Sequence, residues 1–239
     1  MSRPRWTDLC LAAGVLLWLV GCLGCGTAEY EDRVEARIRE ARQGSAFAQM
    51  QSPVTLPGTS LKVQVPNNLE STPLPDDTPA DRLNPLASEQ SSFVTGRKLT
   101  YEGLVEDSEQ GKLPFYCYLI VLDPESFRGR EPVKNLWQSL KNDFAGEASP
   151  PAQVKCQTPQ GLEIEWQMVR VTAPQKFVYV KPDGQSEPRE MPGIFEFYVR
   201  TEGDHVIVIA WRVPEHLESH VGLKERAHLV AGSVTSPAA

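Results

Sequence analysis

The chain has 239 residues, with 24 Lys and Arg against 31 Asp and Glu, a formal net charge of −7 at pH 7. That acidic balance excludes the basic footprint by which nucleic acid is bound, and equally a polybasic grip on anionic lipid. The length suits one domain of ordinary size plus a tether, enough to bury a real core.

The first element is an export pattern. Arg3 and Arg5, diluted by Asp8, form a charged start, and Leu9 to Val20 is an apolar run that ends in Gly21. The run falls short of the roughly 20 apolar residues that a spanning helix needs. The stretch Leu19-Val20-Gly21-Cys22 resembles the lipobox of bacterial lipoproteins: a branched apolar residue three before the cysteine, a small residue before it, then the cysteine. The resemblance implies that residues 1–21 are removed and that Cys22 becomes the lipid-bearing N-terminus. Each buried acyl methylene contributes about 0.8 kcal/mol, and two or more chains make a durable anchor. An ordinary cleaved signal and an uncleaved anchor are the alternatives. Cys22-Leu23-Gly24-Cys25 is a competing register, with a cysteine in the less suitable leading position. In lipoproteins of double-membrane bacteria an aspartate after the lipidated cysteine often marks inner-membrane retention. Leu23 stands there in this chain, so the resemblance implies an outer-membrane anchor facing the periplasm.

Loss of residues 1–21 would leave 22 basic against 30 acidic side chains, a net charge near −8. Of the five cysteines, Cys10 would leave with the signal and Cys22 would carry lipid. Cys117 and Cys156 each fall in a predicted strand. An exported compartment permits a bridge between them, and two buried free thiols are the alternative. No cysteine spacing fits a zinc motif, so no metal or cofactor is expected.

After the anchor, Ala28 to Arg42 reads as a short helix capped by Thr27, with Tyr30, Val34, Ile38 and Ala41 on a narrow stripe. Glu29–Arg33 and Glu35–Arg39 are i,i+4 pairs in the better orientation, and Gly44 is expected to end the helix. Residues 22–59 are thus anchor, charged helix and linker. Ser60 to Val65 alternates as a strand, and residues 66–98, with five prolines, read as a long loop without regular structure. Leu99 to Val105 is a strand. Leu113 to Leu122 is apolar on both faces and belongs in mid-sheet. Pro132 opens a helix with Val133, Leu136, Trp137, Leu140 and Phe144 on one face, ending at Gly146.

Gln153 to Gln157 is a further strand. Leu162, Ile164, Trp166 and Met168 alternate with Glu163, Glu165 and Gln167 as a half-buried one. A turn at Ala173-Pro174-Gln175 leads to a strand at Phe177 to Val180. Lys181 to Pro192 reads as a second polar loop. Ile194 to Thr201 and His205 to Val213 form a hairpin, and Pro214 opens a last helical region interrupted near Gly222. The domain 60–234 is therefore α+β, an antiparallel sheet of six to eight strands covered by amphipathic helices, with residues 235–239 as a tail. This order of elements is similar to the PsbP-like α/β/α sandwich, which several exported lipoproteins carry. The resemblance implies a binding or assembly module. The acidic-basic helix behind the anchor also resembles uncharacterised lipoprotein families of environmental bacteria.

Catalytic patterns are few. His216 and His220 stand at i,i+4, but Leu217 occupies the place where a zinc-protease motif needs glutamate, so two exposed histidines are expected. Glu163 and Glu165 share a wet strand face rather than a cleft. Gly-x-Ser-x-Gly, Walker and Gly-x-Gly-x-x-Gly loops are absent. The expectation is a non-enzymatic envelope lipoprotein that binds a protein partner through loops 66–98 and 181–192. A small-ligand carrier is the alternative, and an enzyme of unrecognised type comes last.

Overall fold

The computed structural model describes residues 30–38, 41–72, 96–108, 111–122, 131–143 and 147–236. The signal segment, Cys22, Cys25, Phe144, Gly146 and the side chain of Leu140 lie outside the described residues, as does 73–95 of the proline-rich segment. The chain divides into two units between residues 48 and 49.

In the first unit, residues 30–38 and 41–47 are helical, and Tyr30 and Ile38 are exposed. Gly44, expected as the stop, lies inside the second helical stretch, and its carbonyl accepts a bond from the Ala48 N–H at 3.0 Å. No atom comes within 4 Å of a Cβ built on Gly44. Gly44→Ala is therefore expected to stabilise this stretch by about 0.5–1 kcal/mol, since glycine loses the most backbone freedom in a helix. Slower amide hydrogen exchange across residues 41–47 would register the gain.

The second unit is built on an eight-stranded antiparallel sheet. Its strands are β3 (Glu70–Thr72), β4 (Gly96–Glu106), β5 (Lys112–Leu122), β6 (Glu147–Ala148), β7 (Ala152–Gln157), β8 (Glu163–Val180), β9 (Ser186–Glu202) and β10 (His205–Pro214). The order is β3-β4-β5-β10-β9-β8, with β6 and β7 both paired to β8. A separate two-stranded sheet joins β1 (Val54–Thr55) to β2 (Lys62–Val63). The expected strand at 60–65 is thus shorter, although Leu61, Val63 and Val65 are buried as its alternation requires. Lys62 also bridges to Thr235, and the Ser233 hydroxyl accepts the Gln64 N–H at 2.9 Å.

The two-sided apolar segment Leu113–Leu122 occupies the middle within β5, β10 lies beside it, and both are almost wholly buried. One face carries Tyr118, Ile120, Phe197, Val169, Val171 and Val208 against Leu136, Val133 and Trp137 of the Pro132–Asp143 helix. The opposite face holds Phe115, Cys117, Trp211 and Tyr198, because neighbouring side chains on a strand point to opposite sides. There Arg226 lies 5.6 Å from the Phe115 ring and His228 meets Tyr198 edge-on at 5.9 Å, so the Leu223–Gly232 helix covers that face. The fold is α+β with an antiparallel sheet covered on both faces. Gly222 (φ 63°) separates this helix from the Glu218–Val221 turn, the interruption expected from the sequence.

Several expectations fail here. β8 runs unbroken through Ala173-Pro174-Gln175, and β9 begins at Ser186, so the loop expected at 181–192 shrinks to a turn at 181–185. Proline misled in both places. Pro174 faces Pro192 and Pro188 faces Val178, and all three fall on one alternate set of pairs. On that set the N–H would point away from the partner strand, so its loss costs the ladder nothing. The segment 66–98 holds β3, and β4 begins at Gly96 rather than Leu99. Leu162 lies outside its strand and is 67% exposed, whereas Trp166 is buried as expected.

At its far end the β8–β9 hairpin turns back: Lys112 at the start of β5 pairs with Val180 at the end of β8. Strands β5, β10, β9 and β8 therefore close on one another there.

Candidate functional site

The residues singled out in the sequence do not converge. Cys117 and Cys156 are both buried free thiols, so the Cys117–Cys156 bridge is not formed. Cys117 sits on β5 opposite Trp211, and Cys156 on β7 opposite Ile164. With β10, β9 and β8 between them, the separation across the sheet approaches ~19 Å at ~4.8 Å per strand, whereas a bridge needs Cα atoms within about 7 Å. Burial pushes the Cys117 thiol far up and that of Cys156 up to about 12, so neither is a nucleophile near neutrality.

His216 and His220 are exposed; His216 Nε2 lies 3.1 Å from Asp107 Oδ1. Among the described residues no group of three or more His, Cys, Asp or Glu is placed to hold a metal ion. Glu163 pairs with Lys155 at 2.9 Å in solvent, and Glu165 is exposed. Among the described residues no helix is long and apolar enough to cross a membrane.

Two buried polar clusters were missed. The first lies where the strands close. Arg212, on the face shared with Ala210 and Val208, is 1% exposed. Its Nε donates to Gln175 Oε1 at 2.9 Å and its Nη2 to the Lys176 carbonyl at 2.5 Å. Its guanidinium lies 4.4 Å from the Phe177 ring and 5.5 Å from that of Tyr116. Gly193 makes this possible, since a Cβ there would press on the Gln175 amide and the Phe177 ring. Burial lowers the Arg212 pKa and raises that of Tyr116. Glu102, beside Tyr116 on the same face, faces Glu70 across β3–β4; burial first, then Glu70, raises its carboxyl.

The second cluster is on the opposite face. Glu196 is 4% exposed; it accepts from the Tyr198 hydroxyl at 2.7 Å and lies 3.4 Å from Arg170 Nη1. Arg170 reaches beyond it to Glu218 through two bonds of 2.7 and 2.6 Å. Burial raises the Glu196 carboxyl, whereas Arg170 holds that of Glu218 low. The contribution of Glu218 is therefore present above the ordinary carboxylate range and is lost as pH falls through its lowered value. One signal for both clusters stood in the sequence: Arg212 and Glu196 are charges inside otherwise apolar strands, where burial without partners is costly.

No protein-family model matches this chain. No curated protein matches either. Among solved structures, it is similar to a point mutant of the protein Mog1, at 13% identity and a TM-score of 0.38, over 77% of this chain and 95% of that one. LpqN, described as involved in cell envelope biogenesis of Mycobacterium tuberculosis, is 13% identical with a TM-score of 0.36, over 79% and 92%. The Saccharomyces cerevisiae Ran-binding protein Mog1p is 12% identical with a TM-score of 0.34, over 78% and 96%. Likeness at these scores carries no argument about activity.

Proposed function

We propose that this chain is a lipid-anchored cell-envelope protein whose α+β domain (residues 60–234) binds a protein partner and is not an enzyme. The observation that carries the reading is Leu19-Val20-Gly21-Cys22 at the end of the apolar Leu9–Val20 run. Acyl chains on Cys22 would tether the mature chain, with Leu23 favouring the outer membrane on its periplasmic side. Within each cluster the polar groups serve one another, Arg212 with Gln175 and Arg170 with Glu196 and Glu218, which supports a binding role over a catalytic one. Partner contacts would come from the segment 66–98 and the hairpin within 181–192, whose turn at 182–185 is exposed.

Cys22→Ser is expected to move the protein from the membrane pellet to the soluble fraction, and the wild-type mature N-terminus to carry acyl mass. An unmodified N-terminus, or a variant still in the pellet, would overturn the anchor. Crosslinking in intact envelopes is expected to recover a stable protein partner. A small-ligand carrier is the second reading. Buried Trp166 Nε1, Trp211 Nε1 and Gln175 Nε2 lack acceptors, and an acceptor-bearing ligand would supply them. A co-purifying small molecule in native mass spectrometry, with no crosslinked protein, would decide for it.

A further inference from the structure

One guanidinium serves two carboxylates in the second cluster. Arg170 on β8 is 3.4 Å from buried Glu196 on β9 and clamps Glu218, which opens the C-terminal helical segment, through 2.7 and 2.6 Å bonds. We propose that residues 215–232 form a strap whose hold on the sheet is set by the charge on Glu196. When Glu196 is ionised it repels Glu218 and competes for Arg170. When it is neutral, Arg170 serves Glu218 alone.

His216, also on the strap, pairs with Asp107 of the β4–β5 connection. Arg170 faces Glu196 from β8 and Tyr198 from its own strand, and the uncharged Trp211 stands opposite on β10. Glu218 adds repulsion from the strap, and Glu215 acts on the shared Arg170. His228, on the far part of the strap, meets the Tyr198 ring edge-on, with Lys224 and Glu225 of its own helix acting on it. Burial keeps the Glu196 carboxyl above its ordinary range, and Arg170 keeps that of Glu218 below, so only Glu196 changes charge first as pH falls. The strap therefore tightens on acidification and loosens as pH rises, a sign opposite to that of a simple surface ion pair. A loosened strap uncovers the sheet face that carries Tyr198, Trp211 and Cys117.

Hydrogen exchange read by mass spectrometry on the full chain tests this, with protection across 215–221 expressed relative to β10 to cancel the intrinsic effect of pH. From about pH 8 down to the ordinary carboxylate value of about 4.5, relative protection in the wild type is expected to rise about two- to fivefold. Glu196→Gln should show the higher value at both pH values, and Glu218→Gln the lower value at both. A flat wild-type response, or an unchanged response in Glu196→Gln, would overturn the proposal. If Glu196→Gln does not fold, Tyr198→Phe decides. Loss of the hydroxyl bond to Glu196 should move the transition to higher pH, and an unmoved transition overturns the proposal.

Discussion

Arg212→Ala is expected to destabilise the second unit by about 3–5 kcal/mol, read as a lower urea midpoint at unchanged slope. Three losses combine. The Gln175 Oε1 and the Lys176 carbonyl lose their donor inside the core. The Phe177 and Tyr116 rings lose the cation that lies against them. The deleted side chain also leaves a void where four strands close. Arg212→Met separates these terms. It restores most of the volume and should recover about half of the loss, leaving the two acceptors unmet. A loss below about 1 kcal/mol for Arg212→Ala would mean that water reaches the site and replaces the guanidinium.

Gly232→Ala should cost about 2–4 kcal/mol, although alanine is the better helix former. Gly232 lies in the last turn of the Leu223–Gly232 helix, and a Cβ there would collide with the Gln157 carbonyl oxygen of β7. The obstacle is backbone on both sides, so no side chain can rotate away. The helix must lift from β7, which loosens Val230 and Ala231 as well. Differential scanning calorimetry would show a drop in the midpoint, with the opposite sign to Gly44→Ala. Equal effects of the two substitutions would show that the helix is free to move off the strand.

Much of the architecture was legible because burial leaves a periodic mark. Leu113–Leu122 and Val206–Trp211 are apolar on both faces, and they became the neighbouring central strands. The spacing of Val133, Leu136 and Trp137 placed a helix on one face of the sheet. Proline was the main source of error. Pro174, Pro188 and Pro192 read as loop residues, but their fit depends on which alternate pairs exchange hydrogen bonds, and that is a property of register rather than of local sequence. The polar clusters were hidden for a similar reason. Arg212 meets Gln175 across 37 positions and Arg170 meets Glu218 across 48, so no local window contains either pair.

The position of β10 has a consequence for biogenesis. This late segment lies between β5 and β9, and Thr235 closes onto Lys62. The ribosome must finish nearly the entire polypeptide before the middle of the sheet can assemble, since the pairing there joins parts far apart in the sequence.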